Sequence, residues 1–347
     1  MSQSNQANPS AISVEGLWQV FGDDPKPALQ AAMGQGNTEQ VLRDKGLIPA
    51  VQDVSFDVAE GELFVIMGLS GSGKSTLIRC ISRLVEPTAG QVRIHGEDVL
   101  QASQARMTEL RRSQIGMVFQ HFGLFPHMSV IDNVAFPLKV GGMGKVARHK
   151  KVMPIIEMVG LEGREHAYPR ELSGGQRQRV GIARSLAGDC SVWFLDEPFS
   201  ALDPLIRRQL QDEFLDIRQK LNTTIVFITH DIAEALKLAD RIAIMRDGKV
   251  VQIGTPAEIV LQPVDDYVRE FSRDVAKGAH AKIGSIMSPV DEAAAGGATL
   301  RADMTLNEAL AACVAASEPA TVLDESGLPV GRIDPKALTA ALQVREG

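Results

Sequence analysis

A glycine-rich stretch between two apolar segments carries the clearest chemical signal in the sequence. It runs Gly68-Leu69-Ser70-Gly71-Ser72-Gly73-Lys74-Ser75-Thr76 and follows the pattern Gly, four residues, Gly-Lys-Ser. The apolar run Leu63–Met67 before it predicts a buried strand, and the apolar residues after it recur at helical spacing. Strand, glycine turn and helix form the context in which this pattern binds phosphate.

The residue types of this stretch suit a nucleoside triphosphate. Glycines let backbone N–H groups close around phosphate oxygens, and the start of a helix adds positive dipole. Lys74 can reach the β- and γ-phosphates, and the Ser75 hydroxyl can ligate Mg²⁺. A plain glycine turn is the alternative, and the flanking pattern argues against it.

Two adjacent carboxylates end a second apolar run. Val192–Leu195 precedes Asp196 and Glu197, and burying two such charges is costly unless something compensates them. A Mg²⁺ ion held together with Ser75 would compensate Asp196. Glu197 points to the other side of the strand and could polarise a water in line with the γ-phosphate. The alternative is a strand followed by an acidic turn.

A second glycine-containing helix start follows at Ser173-Gly174-Gly175. Ser173 is a good N-cap type, and the glycines permit close approach to an anion. Since the chain has one phosphate loop, the economical interpretation is contact with the γ-phosphate held by another copy of the chain. A helix that merely begins with glycines remains the alternative.

Gln120 and His230 each follow an apolar strand. A residue of either type at the end of a strand does not by itself indicate a function.

The length, the net charge, the cysteine positions and the apolar runs of the sequence narrow the class of protein. The 347 residues suffice for about two domains. The net charge of −7 argues against nucleic-acid binding by phosphate neutralisation. Cys80, Cys190 and Cys313 lie far apart, which indicates a reducing compartment and no disulfide framework or metal knuckle. We expect no signal peptide, and no apolar run approaches the ~20 residues that span a bilayer.

Alternating apolar runs and helical periodicity predict an α/β fold with a parallel sheet and an antiparallel part at its edge. The predicted strands are Ser13–Val20, Val51–Val58, Leu63–Met67, Gln91–His95, Ile115–Phe119, Val192–Leu195, Ile225–Ile228, Ile242–Met245 and Val250–Ile253, the last two joined by an Asp247-Gly248 turn. The predicted helical stretches are residues 28–46, 108–112, 129–170, 172–186, 207–220 and 232–238.

These motifs resemble ABC transporter ATPase subunits. The phosphate loop, Gln120, Leu172-Ser173-Gly174-Gly175-Gln176, Asp196-Glu197, Ser200-Ala201-Leu202-Asp203 and His230 follow the order and spacing of that family over residues 11 to about 275. Trp18-Gln19-Val20-Phe21-Gly22, an insert at about 23–49 and Ala201-Leu202-Asp203-Pro204-Leu205-Ile206-Arg207 resemble the subfamily that serves glycine betaine, proline and choline importers.

The resemblance implies a P-loop NTPase of ABC type over residues 1–278. It has a RecA-like core, an antiparallel β subdomain and an inserted helical subdomain at about 121–175. It also implies ATP and Mg²⁺ as cofactors. The implied nucleotide contacts are Phe21, Gly68, Ser70, Gly71, Ser72, Gly73, Lys74, Ser75, Thr76, Gln120, Ser173, Gly174, Gly175, Gln176 and Asp203. The implied Mg²⁺ ligands are Ser75, Gln120 and Asp196.

The same resemblance assigns catalytic roles. Glu197 would be the general base, His230 the γ-phosphate sensor, and Gln120 the contact to Mg²⁺ and the attacking water. Asp203 would couple two sites across a dimer. For the aromatic that stacks on adenine we favour Phe21 over Trp18, because Phe21 lies beside Gly22; stacking of this kind is worth about 1–3 kcal/mol.

The tail, residues 279–347, begins with a linker-like segment at 293–297 and continues as strand-helix-strand-helix over 303–342. Ile286-Met287 and residues 305–310 and 322–331 resemble one CBS-type module. Such modules normally pair, so the second subunit supplies the partner or the tail is a degenerate remnant.

The implied function is that of an ATP-hydrolysing subunit that powers import of a quaternary amine osmolyte, such as glycine betaine, proline betaine or choline. Its implied partners are a second copy in a head-to-tail ATP sandwich, a transmembrane permease, and a periplasmic or lipid-anchored substrate-binding protein, with no nucleic acid. The implied location is the cytoplasmic face of a bacterial inner membrane. The alternatives are an importer for another small solute and a soluble ABC ATPase without transport.

Overall fold

The structure is a computed structural model, and it describes residues 10–118, 123–188, 190–200, 202–219, 223–272, 282–285, 287–288, 299–305, 308–309, 319–324 and 326–333. The chain divides into two compact units. The first comprises residues 1–231 and 243–250, and the second comprises residues 232–242 and 251–347. No helix within the described ranges has the length and apolar character needed to cross a bilayer.

An antiparallel sheet opens the first unit. Its strands are β1 (Ser10–Phe21), β2 (Ile48–Ala59), β4 (Ala89–Ile94) and β5 (Glu97–Asp98), in the order β2-β1-β4-β5. Between β1 and β2 the insert forms α1 (Pro25–Ala32) and α2 (Thr38–Asp44). The insert was predicted as one helical segment, but Gly34 and Gly36 take φ values of +97° and +77° and separate two short helices.

A second sheet has six strands and includes the predicted parallel strands. It contains β3 (Leu63–Met67), β6 (Ile115–Val118), β7 (Val192–Asp196), β8 (Thr224–Thr229), β9 (Arg241–Arg246) and β10 (Lys249–Gly254), in the order β10-β9-β3-β8-β7-β6. The strands β3, β8, β7 and β6 pair in parallel. Every residue of β3, β7 and β8 is buried, which explains their continuous apolar runs. Because the carboxyl ends of parallel strands meet at one edge, the residues after β3, β7 and β8 lie together.

Within the described ranges, seven helices of the first unit accompany this sheet, and three of them lie in the stretch predicted as helical over 129–170. They are α3 (Lys74–Ile81), α4 (Gln104–Ser113), α5 (Val130–Val134), α6 (Phe136–Val140), α7 (Lys145–Met158), α8 (Gly174–Ala187) and α9 (Pro204–Gln219), with a 3₁₀ turn at Pro169–Glu171. The stretch predicted as helical over 129–170 therefore consists of three helices and this turn. The predicted Asp247-Gly248 hairpin is present, with φ values of +49° and +81°.

The second unit contains α10 (Ile232–Leu238), α11 (Pro256–Leu261) and α12 (Asp266–Ser272) together with the tail strands β11 (Thr299–Arg301), β12 (Ala320–Leu323) and β13 (Pro329–Ile333). β11 and β12 pair in parallel, and β12 and β13 pair antiparallel. The hairpin of β12 and β13 differs from the predicted strand-helix-strand-helix order. Its turn is held by Asp324, whose Oδ1 accepts hydrogen bonds from the backbone of Ser326 and Leu328.

The core of the second unit joins α11 to the tail. Its buried residues are Ala257, Ile283, Leu300, Ala309, Ala320, Val322 and Ile333. The compact units therefore divide before residue 278, because α11 shares this core. Residue 278, the predicted domain boundary, lies outside the described residues, and so does Ile286 of the CBS-like pattern. The CBS-type identity of the tail stays a prediction.

Candidate functional site

The phosphate loop connects the end of β3 to the start of α3, as predicted. A Cβ atom on Gly68 would lie 2.3 Å from the Met245 carbonyl oxygen, and one on Gly73 would lie 2.3 Å from the Ala50 carbonyl oxygen. These two glycines are thus required by the backbones of β9 and β2 that pack against the loop. Gly71, with φ +83°, has no other atom within 4 Å of its Cβ position, so it leaves space beside the loop.

Two buried polar side chains of the loop fit a phosphate ligand. The Lys74 ammonium donates hydrogen bonds to the carbonyl oxygens of Gly68 at 2.8 Å and Leu69 at 3.0 Å. Burial lowers the pKa of Lys74, and the carboxylates of Glu197 and Asp196 oppose that effect. The Ser72 hydroxyl is buried without a hydrogen-bond partner in the described part of the chain. Phosphoryl oxygens would satisfy both groups.

Two of the residues predicted to hold Mg²⁺ are joined by a hydrogen bond. The Ser75 hydroxyl donates to Asp196 Oδ1 at 2.9 Å. Burial raises the pKa of Asp196, which the Ser75 hydrogen bond and the charge of Arg79 oppose. Hydroxyl and carboxylate oxygens are ligands that Mg²⁺ accepts, with waters and phosphate oxygens completing its shell. No cluster of three or more His, Cys, Asp or Glu side chains that could hold a metal ion occurs among the described residues.

Glu197 and His230 are brought together by the ends of β7 and β8. The backbone of Glu197 has φ +46°, and its N–H donates to the Ile228 carbonyl oxygen at 3.1 Å. A left-handed conformation is uncommon for glutamate, and such strain concentrates at functional sites. His230 Nδ1 lies 3.2 Å from Glu197 Oε2. The imidazole is half exposed, whereas the carboxylate is mostly buried. Sequence spacing did not predict this contact.

The Ser173 to Gln176 stretch has a structural role of its own. Ser173 caps α8, and a capping box joins the Ser173 and Gln176 side chains to each other's backbone N–H groups. A Cβ atom on Gly175 would lie 2.9 Å from Ile206 Cγ2, so this glycine lets α8 approach α9. None of the hydrogen bonds found in the described ranges joins this stretch to the phosphate loop of the same chain.

The other predicted site residues lie at a helix cap, in the insert region and in the phosphate loop. Asp203 caps α9 by accepting a hydrogen bond from the Ile206 N–H at 3.1 Å. Phe21 is 41% exposed, whereas Trp18 is 8% exposed within the core of the insert, so only Phe21 presents a ring for stacking. Ser70 is exposed in the phosphate loop, and Thr76 is half-buried in the first turn of α3. Gln120 lies outside the described residues, and its role stays a prediction.

Arg79 is a site residue that the sequence interpretation missed. Its guanidinium lies 3.9 Å from Asp196 Oδ2. Arg79 follows Ser75 by four residues on α3, and residues at that spacing share one face of a helix. Helical spacing counted from the predicted Mg²⁺ ligand therefore offered a signal for it.

Comparison with known proteins gives a consistent picture. The family model described as ABC transporter matches residues 51–200. The chain is 46% identical to the trimethylamine N-oxide transport system ATP-binding protein TmoW of Pelagibacter ubique, over 96% of the chain and 98% of that protein. It is 50% identical to TmoW of Ruegeria pomeroyi, over 93% of the chain and 94% of that protein.

Other matches cover less of the chain. The glycine betaine/proline betaine transport system ATP-binding protein ProV of Salmonella typhimurium is 50% identical, over 80% of the chain and 70% of ProV. Among solved structures, a dimeric ATP-binding cassette in a post-hydrolysis state bound to ADP and Pi matches with a TM-score of 0.59 and 31% identity. That match covers 71% of this chain and 98% of the cassette.

Proposed function

From the premise that this chain belongs to the family of ABC transporter ATP-binding subunits, we propose that it powers uptake of a small trimethylated amine. As a member of that family it is an ATPase whose hydrolysis is coupled to transport. The geometry that carries the proposal is the convergence of Lys74, Ser75, Asp196 and the Glu197–His230 pair at one edge of the sheet.

The cargo is proposed from the relatives. The two TmoW proteins align over nearly the whole chain, including the tail, whereas ProV extends well beyond it. Trimethylamine N-oxide is therefore the first candidate, and glycine betaine is the second. Both carry a nitrogen with three methyl groups, which a binding protein can recognise by cation–π contacts.

The chemistry is assigned to residues of this chain. The phosphate-loop residues Gly68, Ser70, Gly71, Ser72, Gly73, Lys74 and Thr76 hold the phosphates. Ser75 and Asp196, together with Gln120, would hold Mg²⁺, which would neutralise charge on the phosphates. Glu197 accepts a proton from the attacking water, and His230 holds the Glu197 carboxylate from the exposed side. Lys74 exchanges its carbonyl partners for phosphate oxygens when nucleotide binds.

A second copy completes the proposed site. Ser173, Gly174, Gly175, Gln176 and Asp203 face the phosphates held by the partner, and Phe21 stacks on adenine. Ser173 is exposed at the start of α8, where backbone N–H groups and the helix dipole favour an anion. The dimeric state of the solved cassettes supports this arrangement.

The permease contact is proposed for a groove of the first unit. The groove has a volume of about 350 Å³ and lies between the sheet edge at β6 and the helices α6 and α8. Phe125, Phe136 and Val140 make it apolar, and Arg112 and Arg184 line it as well. An amphipathic cytoplasmic segment of a permease fits this combination, which would hold the chain at the inner face of the membrane.

Uptake in cells that lack the chain tests the proposal. Cells complemented with the wild-type chain should import radiolabelled trimethylamine N-oxide or glycine betaine, and Lys74→Ala should abolish import because the phosphates lose their cation. Lys150→Ala, at an exposed position on α7, is the matched control and should import normally. Import that survives Lys74→Ala, or a complemented strain that imports neither amine, would contradict the proposal.

A further inference from the structure

Two exposed apolar side chains lie side by side where β1 ends and β2 begins. Phe21 and Ile48 are direct cross-strand partners, and they are 41% and 60% exposed. The neighbouring pair, Val20 and Pro49, is buried. Because successive pairs along two strands face opposite sides of a sheet, Phe21 and Ile48 share the side that meets solvent. These two side chains are called here the platform.

The core of the insert leaves the platform uncovered. Within the described ranges, neither Phe21 nor Ile48 belongs to the hydrophobic cluster that joins the insert to β1. Leu47, directly before Ile48, is buried in that cluster. Its side chain fills the space in which Gly22, directly after Phe21, would carry a Cβ atom, only 2.4 Å away. Contiguous apolar side chains that stay outside an adjacent core indicate a contact surface.

The β2 end of the platform lies close to the phosphate loop. The register of β1 against β2 shifts by one residue between Gln19 and Val20, so Ala50 is an extra residue on β2. The Ala50 carbonyl oxygen would lie 2.3 Å from a Cβ atom on Gly73, so the backbones of β2 and the phosphate loop touch there. Ile48 precedes Ala50 by two residues, which is about 7 Å along a strand. A ribose bridges a gap of this order, so the loop and the platform can hold the two ends of one nucleotide.

A groove opens beside the platform. It has a volume of about 420 Å³, and its lining includes residues 22–24, directly after Phe21, and residues 45–47, directly before Ile48. Ligand pockets have volumes of this order. The groove therefore gives room to the edge of a base that extends past the two apolar side chains.

We propose that the adenine of bound ATP lies across both side chains of the platform, so that Ile48 contacts the base alongside Phe21. A purine has two fused rings and is wider than a phenyl ring, so Phe21 alone leaves part of its face uncovered. Ile48 supplies the apolar surface for the remainder. The inference rests on the proposed ATP-binding role of the phosphate loop and deepens it, because it adds a residue that recognises the base.

The kind of contact distinguishes Ile48 from the residues of the phosphate loop. Ile48 contributes to affinity only through the base, so it matters for ADP and ATP and not for pyrophosphate. Packing of a base against an aliphatic side chain depends on the apolar area that is buried. A substitution that keeps this area should retain most of the affinity, and one that removes it should not.

Calorimetric titration of the full chain with ADP and with pyrophosphate, both in the presence of Mg²⁺, tests the contact. Ile48→Ala should weaken ADP binding about three- to tenfold, because most of the side chain leaves the platform, and should leave pyrophosphate affinity unchanged. Ile48→Leu keeps the volume and should bind ADP within about twofold of wild type. Val146→Ala, at an 85% exposed position on α7, is the matched control and should bind both ligands like wild type.

A double-mutant cycle tests whether the two side chains hold the same base. In a Phe21→Ala background the base is no longer held over the platform, so adding Ile48→Ala should change ADP affinity by less than about twofold. Unchanged ADP affinity of Ile48→Ala in the wild-type background would overturn the proposal and leave the platform as a surface for another protein. An equal loss of ADP and pyrophosphate affinity, or additive effects in the cycle, would also overturn it.

Failure of this inference is distinguishable from failure of the proposed function. A wild-type chain that binds neither ADP nor pyrophosphate would remove the phosphate-loop assignment, and the role of Ile48 with it. A wild-type chain that binds ADP, with equal binding by Ile48→Ala, would remove only Ile48 from the site.

Discussion

Glu197 occupies its position through the backbone rather than through side-chain packing. Its N–H bonds to the end of β8 while its φ of +46° turns the chain away from the sheet, and the carboxylate then meets His230. A glutamate in this geometry, beside a buried Lys74, is suited to accept a proton from water near a phosphate. We propose the role of general base for Glu197 on the basis of that placement.

Replacing this carboxylate tests the role. Glu197→Gln keeps the size of the side chain but removes the base, so ATP turnover should fall about 10²–10⁴-fold while nucleotide affinity is retained. Steady-state ATPase and calorimetry measure the two quantities. Glu162→Gln, at an exposed position in the same unit, should turn over normally. Near-normal turnover in Glu197→Gln would remove Glu197 from the mechanism.

Asp196 makes a prediction about stability. Burial raises the pKa of Asp196, so the folded chain takes up its proton at higher pH than the unfolded chain. The ionised carboxylate therefore lowers the free energy of unfolding above the raised pKa, and this penalty disappears as the pH falls to the ordinary value of 3.8. Without nucleotide and Mg²⁺, Asp196→Asn should melt at a higher temperature than wild type at pH 7.

Calorimetric melting at several pH values measures this difference, with Asp44→Asn as the exposed control. Adding Mg²⁺ and ATP should reverse the order, because a ligand stabilises the state that binds it and the variant binds it less well. A lower melting temperature for the ligand-free variant at pH 7 would show that ionised Asp196 stabilises the fold.

At the scale of elements, predictions succeeded where local pattern decides the structure. The strand Leu63–Met67 and the helix Ile232–Leu238 have the predicted bounds, because an uninterrupted apolar run and a regular helical period leave little choice. The helix Pro256–Leu261 was missed although its sequence carries a signal. Thr255 and Glu258 form a capping box around Pro256 at the first turn.

The sequence alone could not reveal which backbone atoms lie beside the phosphate-loop glycines. The pattern attributes Gly68 and Gly73 to contact with phosphate, but carbonyl oxygens of Met245 and Ala50 already occupy the space beside them. Those neighbours come from β9 and β2, which are distant in sequence. Likewise, the partner of Glu197 depends on how β7 and β8 pair.

The contact of α8 with α9 gives a prediction at this scale. Gly175→Ala would place a methyl group 2.9 Å from Ile206 Cγ2, and such overpacking typically costs about 1–3 kcal/mol. The free energy of unfolding by urea should fall by that amount. Gly174→Ala is the matched control, since its nearest neighbour lies at 3.5 Å.

A second substitution checks the cause. Adding Ile206→Ala to Gly175→Ala removes the crowding methyl group, so the double variant should be less destabilised than the two single changes sum to. Strict additivity of the two effects would indicate that crowding between α8 and α9 is not the reason.

At the scale of the whole molecule, the second unit has a core of its own. Leu300 is 1% exposed within it, and a Leu→Ala change at such a site costs about 2–5 kcal/mol. Leu300→Ala should therefore lower the melting transition of the second unit. Leu328→Ala, 63% exposed in the same unit, should leave that transition in place, and equal effects of both changes would contradict the assignment of this core.

The central claim of the account is that ATP joins two copies of the chain and that each copy completes the other's site. Ser173 is exposed at the start of α8, and within the described ranges the hydrogen bonds of its side chain and N–H go to Gln176 and not to its own phosphate loop. Association with and without nucleotide is therefore more informative than any single substitution, because it tests the shared site directly.

The most direct test is sedimentation velocity of the full-length Glu197→Gln chain, which binds nucleotide without consuming it. We predict a monomer without nucleotide and a dimer with saturating Mg²⁺ and ATP. A chain that stays monomeric under saturating nucleotide, while the wild-type chain in its intact transport system hydrolyses ATP at full rate, would contradict the account.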